Sequence, residues 1–219
     1  GLETVRNKFT FMSLDDADRL SESLREDSRV LIVGAGLIGL KCAEGIAKYD
    51  RKITVVDLAP RILSSILDTE GAQIVQRHLE KKGLSFVLGH SVTNFAENKA
   101  RLDDGEEIEF DILVLAVGVR PNTSLLSGIA NIEKGIVVND RSETSAPDIY
   151  AAGDCTQTMD VSSGASRIMA LLPNAYMQGE CAGVNMAGGN KSFGKAIPMN
   201  AIGFFGLHMI TAGNYQIRI

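Results

Sequence analysis

A chain of 219 residues has room for one large or two modest domains, each with its own core. Apolar residues make up 45% and charged residues 22%, an ordinary globular composition, and a net charge of −5 gives no electrostatic footprint for nucleic acid or an anionic membrane. Trp is absent and aromatics are scarce, which argues against aromatic platforms for bases or sugars; no apolar run approaches the roughly 20 residues that span a bilayer, and no signal peptide is visible.

Ser13 followed by Asp16 resembles a capping box and opens a helix with the apolar stripe Ala17, Leu20 and Leu24. Arg29–Val33 is a short apolar strand ended by a Gly-rich turn. Residues 37–49 read as a helix carrying Leu40, Ala43 and Ala47, with no Pro. Lys52–Val56 is a second strand, ended by Asp57. Residues 69–82 form an amphipathic helix on Ile74, Val75 and Leu79, stopped by Gly83 as a C-cap, and Leu84–Leu88 is a third strand. This β-α-β-α-β alternation predicts a parallel sheet covered by helices.

The pattern then changes. Residues 92–110 alternate and contain Asp104-Gly105, a hairpin turn signal. Ile112–Val117 is a continuous apolar run, as in a strand buried on both faces, and Gly118 follows at once. A helical turn around Thr123–Leu126, a strand at Ile136–Val138 and a short strand at Ile149–Ala152 come next. Residues 159–167 read as a mobile polar loop, 174–187 as a helix rich in small residues, and 188 onward as a Gly-rich, apolar tail.

The strongest chemical signal is Gly34-Ala35-Gly36-Leu37-Ile38-Gly39. Alone it is weak, but it follows a strand, opens a helix, and is followed 23 residues after Gly34 by Asp57 at the end of the next strand. Gly34 allows the tight turn, Gly36 lets a pyrophosphate approach the backbone, and Gly39 lets helix and strand pack closely. The helix start offers free N–H groups and partial positive charge to phosphates. Asp57 would accept hydrogen bonds from a ribose diol and repel a 2′-phosphate, which favours NAD(H) over NADP(H). Arg61, four residues on, would hold such a phosphate or be a solvated surface arginine.

Cys42, Cys155 and Cys181 have neither CxxC nor metal-ligand spacing, which suits unpaired thiols in a reducing cytoplasm. Cys155 beside Asp154 reads as a small buried residue, since no Cys or His lies near it in sequence. His78, His90 and His208 have no metal-spaced partner and read as structural, so no metal site is expected.

Three further stretches follow the fingerprint in a fixed order. They are Ala116-Val117-Gly118 with Arg120-Pro121-Asn122, then Ile149-Tyr150-Ala151-Ala152-Gly153-Asp154, then Leu172-Pro173-Asn174-Ala175 leading to Gln178-Gly179. In this order the chain resembles the pyridine nucleotide–disulfide oxidoreductases, flavoproteins that bind two dinucleotides, over about residues 13 to 188. The resemblance implies an NAD domain inserted in an FAD domain, with Ala116, Val117 and Gly118 closing the NAD site. It implies that Gly153 and Asp154 reach the ribitol of FAD. It also implies that the helix starting at Pro173, Asn174 and Ala175 aims its N–H groups at the flavin. The segments Leu172–Gln178 and Ile197–Gly203 are similar to the NADH oxidase, rubredoxin reductase and nitrite reductase flavin-subunit group.

The earlier glycine fingerprint of that family is not found before residue 34, so the chain reads as a fragment whose catalytic residues lie elsewhere. Many relatives carry Glu at Lys41, near the nicotinamide–flavin junction in some; Lys41 departs from this, and no such role is expected for it.

The fold expected is α/β: a Rossmann-type three-layer NAD-binding domain with part of a second, FAD-binding Rossmann-like domain. Residues 1–27 would be a connecting segment and helix, 28–141 the NAD-binding domain, 142–188 the later part of the FAD-binding domain, and 189–219 the start of a truncated interface domain. The cofactor residues expected are Gly34, Gly36, Leu37, Ile38, Gly39, Asp57, Arg61, Ala116, Val117 and Gly118 for NAD, and Gly153, Asp154, Pro173, Asn174 and Ala175 for FAD. The reaction implied passes a hydride from NADH to FAD and electrons on to a small-molecule or redox-protein acceptor. FAD is expected in the full-length protein and poorly retained here; a homodimer is allowed. The alternative is a stand-alone NAD-binding module without flavin or turnover. A Rossmann dehydrogenase for a small substrate would need a catalytic His, a Tyr-Lys pair or a metal site, and the sequence offers none.

Overall fold

In the computed structural model, which describes residues 1–47, 52–194 and 196–213, contacts divide the chain into two units. Of the described residues, one unit holds those within 1–118 and 202–208, and the other those within 119–201 and 209–213.

The first unit runs β1 (Lys8–Thr10), α1 (Leu14–Ser23), β2 (Arg29–Val33), α2 (Leu37–Ala47), β3 (Lys52–Asp57), α3 (Thr69–Glu80) and β4 (Leu84–Leu88). It continues through β5 (Val92–Ala96), β6 (Lys99–Leu102), β7 (Glu107–Glu109) and β8 (Ile112–Leu115). Five strands form one parallel sheet in the order β1-β8-β2-β3-β4. The β-α-β-α-β expectation therefore holds, with β8 inserted beside β2 through the register Val30↔Ile112 to Val33↔Leu115. The Lys8–Thr10 strand was not foreseen: three residues are too short to show alternation, and β1 is held through its pairing with β8.

Ser13 caps α1 by accepting the Asp16 N–H at 3.2 Å. Only half a capping box forms. The Asp16 carboxylate turns instead to the Thr10 hydroxyl at 2.7 Å and the Met12 N–H at 3.0 Å, tying the end of β1 to α1. With these bonds and Arg19 beside it, the Asp16 carboxyl is held at about 2. Asp68 caps α3 by accepting the Gly71 N–H at 2.8 Å. The helix expected at 37–49 is seen to Ala47; its last two positions lie outside the described residues.

Strands β5, β6 and β7 form an antiparallel meander. Its Ala100 and Leu102, with Phe110 beyond β7, share a buried cluster with Val5, Leu31, Val56 and Leu113. Alternation points Ile32, Val55 and Val114, all buried, to the opposite face of the parallel sheet. The buried stripes of α2 (Leu40, Ala43, Ile46) and α3 (Val75, Leu79) belong to the helices that pack on β2, β3 and β4. The three layers are thus helices, parallel sheet and meander.

The second unit has β9 (Ile136–Val137), β10 (Thr156–Asp160), β11 (Ala165–Ile168) and α4 (Leu172–Met186), with the sheet order β11-β10-β9. Two expectations are corrected here. Residues 159–167 are not a mobile loop but most of the β10–β11 hairpin. Asp160 closes it, accepting the Ser162 N–H at 2.9 Å and the Ser162 and Ser163 hydroxyls at 2.7 Å each, and pairing with Arg167 at 2.8 Å. Ile149–Ala152 is not a strand; it makes a single bridge, Glu143↔Tyr150.

The apolar tail is also structured. Strands β12 (Met199–Phe204) and β13 (Leu207–Ala212) form a hairpin whose turn residues Phe205 and Gly206 both have positive φ, +48° and +84°. No helix among the described residues is long and apolar enough to cross a membrane.

Candidate functional site

The carboxyl ends of β2 and β3 lie side by side, with Val33 opposite Val56. The glycine turn leaves β2 there. Gly34 donates to the Val56 carbonyl at 2.8 Å and adopts φ +116°. A Cβ on Gly34 would lie 2.3 Å from the Ala116 carbonyl oxygen, and one on Gly39 would lie 2.0 Å from the Gly34 oxygen. Both positions are closed by the protein's own backbone. Gly36 differs: a Cβ there would meet nothing within 4 Å. Nothing in the fold demands glycine at 36, and the bare backbone borders open space.

That space lies at the start of α2, where Leu37 and Ile38 are half-buried in the first turn. The first N–H groups of a helix lack intrahelical partners, and the helix dipole adds partial positive charge. The turn can therefore hold an anion such as a pyrophosphate.

Asp57, the last residue of β3, is half-buried beside the turn. Its Oδ2 accepts the Ala35 N–H at 2.6 Å and its Oδ1 accepts the Ala59 N–H at 2.7 Å. The Ala35 carbonyl in turn accepts the Leu63 N–H at 2.9 Å. Arg61 donates to the carbonyls of Ser64 and Leu67 at 3.3 Å each, so its guanidinium holds the loop after β3. On the other side of β2, Ala116 donates to the Val33 carbonyl at 2.8 Å, while Val117 and Gly118 are exposed and Gly118 has φ +105°. The structure thus gathers Gly34, Gly36, Leu37, Ile38, Gly39, Asp57 and Ala116 around one turn.

In the second unit, Gly153 (φ +86°) donates to Gln178 Oε1 at 2.9 Å, and the same oxygen accepts the Thr156 hydroxyl at 3.2 Å. A Cβ on Gly153 would lie 3.6 Å from that of Ala175. Gly153 and the first turns of α4 are therefore neighbours, and Asp154 beside them is exposed. Pro173 sits in the first turn of α4, where its missing N–H costs nothing. Asn174 is buried, and its Nδ2 is the one buried side-chain nitrogen or oxygen among the described residues with no partner. Such a donor fits a ligand that would supply the missing acceptor. Sequence marks Gln178 only as the end of a motif; that it organises the Gly153 turn rests on contacts that spacing does not give.

Cys42 and Cys181 are fully buried, and burial pushes the Cys42 thiol up to about 12, which makes it inert. Cys155, expected as a small buried residue, is instead half-buried and donates to the Ala152 carbonyl at 3.5 Å. The structure brings His90 to Asp103 and Asp104, a grouping the sequence spacing did not suggest. These groups, His90 half-buried and the two aspartates exposed, bond one another: His90 Nδ1 lies 2.9 Å from Asp103 Oδ1, and Asp103 Oδ2 also accepts the Ser91 N–H and hydroxyl.

A five-stranded parallel sheet, a glycine turn opening a helix and an acid closing the next strand define a Rossmann-type α/β fold. The sequence model described as Pyridine nucleotide-disulphide oxidoreductase matches residues 1–179, and the chain belongs to that family. The NADH-dependent phenylglyoxylate dehydrogenase subunit epsilon of Aromatoleum evansii is 32% identical over 99% of this chain and 53% of that protein. An NADH oxidase of Methanocaldococcus jannaschii is 33% identical over 84% of this chain and 43% of its own length. Among solved structures, a NAD-dependent persulfide reductase from A. fulgidus superimposes with a TM-score of 0.91 at 29% identity, covering 97% of this chain and 41% of that one. The chain spans between 26% and 53% of the length of these and similar curated relatives.

Proposed function

We propose that this chain carries the NAD(H) site and the later part of the FAD site of an FAD-dependent NADH:acceptor oxidoreductase. One observation carries the reading: Gly34 and Gly39 are glycines because the backbone crowds them, whereas the fold does not require glycine at 36, and a pyrophosphate approaching the start of α2 would. Residues 28–141 would hold the nicotinamide dinucleotide, 142–188 would contribute to FAD, and 189–219 would begin an interface domain. The pyrophosphate would lie over Gly36 and the N–H groups of Leu37 and Ile38, with Ala116, Val117 and Gly118 along its edge. Asp57 would accept from the ribose diol, and its charge would oppose a 2′-phosphate, giving NADH preference over NADPH. Arg61, engaged with the Ser64 and Leu67 carbonyls, is poorly placed to offset that charge.

For FAD, Gly153 and Asp154 would meet the ribitol, and the start of α4 at Pro173, Asn174 and Ala175 would face the flavin. The unpaired Asn174 Nδ2 supports this, because a bound flavin would offer it an acceptor. Flavin accepts a hydride and releases electrons singly or in pairs; this chain's part is to bind, orient and supply hydrogen bonds. Relatives named as an NADH oxidase and an NADH-dependent dehydrogenase subunit support the same class. The acceptor would be a small molecule or a redox protein; a relative named rubredoxin-NAD(+) reductase favours the latter type.

Calorimetric titration with NADH and NADPH tests the first site. NADH binding tenfold or more tighter, about 1.4 kcal/mol, is expected. Binding of neither, with the chain folded, overturns the reading.

A further inference from the structure

Helix α2 carries Lys41 and Glu44 nearly one turn apart, and both are engaged with the tip of the β12–β13 hairpin. Lys41 Nζ donates to Glu44 Oε2 at 2.7 Å and to the Gly203 carbonyl at 2.5 Å, and it lies 5.0 Å from the centre of the Phe204 ring. Glu44 Oε1 accepts the Phe205 N–H at 2.5 Å. From α3, His78 Nε2 lies 3.3 Å from the Phe205 carbonyl. Three side chains on two helices thus meet three backbone groups of one turn, and the Phe204 ring beside them is fully buried.

The turn needs that support. Phe205 holds φ +48°, a left-handed conformation that a bulky residue keeps only where its surroundings over-determine it. Lys41 needs it too. A cation one turn from the start of a helix opposes the helix dipole, and the Glu44 carboxylate and Gly203 carbonyl offset this. A glutamate at 41 would place two carboxylates at i and i+3 and leave the Gly203 carbonyl without its donor.

We propose that Lys41 is a positioning residue of the dinucleotide site: it clamps the hairpin tip onto α2 and so fixes the helix turns that present N–H groups to the pyrophosphate. The proposal rests on the dinucleotide reading above. Seating of the tip and binding of NADH then favour each other, and linkage makes the effect equal in both directions.

The test combines NADH titration with hydrogen exchange of the Phe205 amide in the unaltered chain, Lys41→Ala and Lys41→Arg. Lys41→Ala is expected to speed Phe205 exchange and weaken NADH by about fivefold or more. Lys41→Arg, which keeps the positive charge and N–H donors for a carboxylate and a carbonyl, is expected to restore both. NADH is expected to slow Phe205 exchange in the unaltered chain. Faster exchange in Lys41→Ala with unchanged NADH affinity overturns the coupling, as does failure of Lys41→Arg to restore affinity. An unaltered chain that binds no NADH overturns the dinucleotide reading itself, and the coupling with it.

Discussion

Asp57 Oδ2 accepts the Ala35 N–H at 2.6 Å, so the carboxylate at the end of β3 braces the glycine turn at the end of β2. Its other oxygen holds the Ala59 N–H at 2.7 Å. An acid read from sequence as a ribose acceptor is therefore also a structural tie across two strands.

A change of Asp57 should act on the turn before it acts on cofactor choice. Asp57→Asn keeps one acceptor oxygen but sets an amide donor against a backbone N–H. Hydrogen bonds to a charged group are worth about 1.5–3 kcal/mol, and one of the two would be lost. Asp57→Asn should lower thermal stability by a comparable amount and weaken NADH tenfold or more, without a gain in NADPH. Unfolding and titration on the same sample check this; a variant of unchanged stability that binds NADPH well would show that Asp57 does not brace the turn.

The three fingerprint glycines should separate by experiment. Gly39→Ala places a Cβ 2.0 Å from the Gly34 carbonyl oxygen, a backbone atom that cannot yield without moving the turn. It should destabilise the first unit by several kcal/mol, as overpacking against backbone does. Gly36→Ala meets no atom within 4 Å and should fold with its melting temperature unchanged, yet lose NADH affinity tenfold or more. Equal melting losses in both variants would remove the distinction and the case for a ligand over Gly36.

Much of this site was legible because it is local. The turn needs glycine at 34 for φ and at 39 for close approach, and both needs show as a short motif between two apolar runs. The caps at Ser13 and Asp68 are likewise local. What escaped reading depends on distant partners. The β10–β11 hairpin looks like a polar loop because its closing contacts go to Asp160, whose burial no pattern of serines reveals. Lys8–Thr10 becomes a strand only because Leu113, Val114 and Leu115 lie beside it, over a hundred positions away. Lys41 stood out only as a departure from relatives, and the Gly203 carbonyl that explains it lies 162 residues on.

The contact between His90 and Asp103 makes a pH prediction. The Asp103 hydrogen bond raises the His90 ring above its ordinary 6.5, aided by the nearby charges of Asp103, Asp104 and Glu106. The same bond, with those from Ser91, holds Asp103 at about 2. A raised histidine contributes stability that is fully present below 6.5 and fades as pH rises through the folded-state value. A depressed aspartate contributes stability above its ordinary value, about 3.9, that is lost as pH falls towards 2. Water reaches both side chains of the pair, so the effect on the whole fold should be small and the local titration clear. An NMR titration of the His90 ring should give a midpoint above 6.5, and Asp103→Asn should return it close to that value. A midpoint at or below 6.5 in the unaltered chain would show that the contact does not form in solution.

Asn174 offers the sharpest test of the flavin assignment, because stability and binding should move in opposite directions. Its Nδ2 is buried without a partner. Leaving a donor in that state costs about 1–3 kcal/mol, and replacing the amide by an apolar group of similar size removes the cost. Asn174→Leu should therefore stabilise the flavin-free chain, by about 2–4 °C in melting temperature per kcal/mol for a chain of this size. A bound flavin reverses the balance, since its oxygen or nitrogen would satisfy the donor that leucine lacks. The variant should then bind added FAD more weakly than the unaltered chain, read from the flavin absorbance band retained after gel filtration. A variant that melts lower would show that Asn174 is already satisfied without flavin. One that melts higher and holds FAD equally well would leave the buried amide without a part in flavin binding.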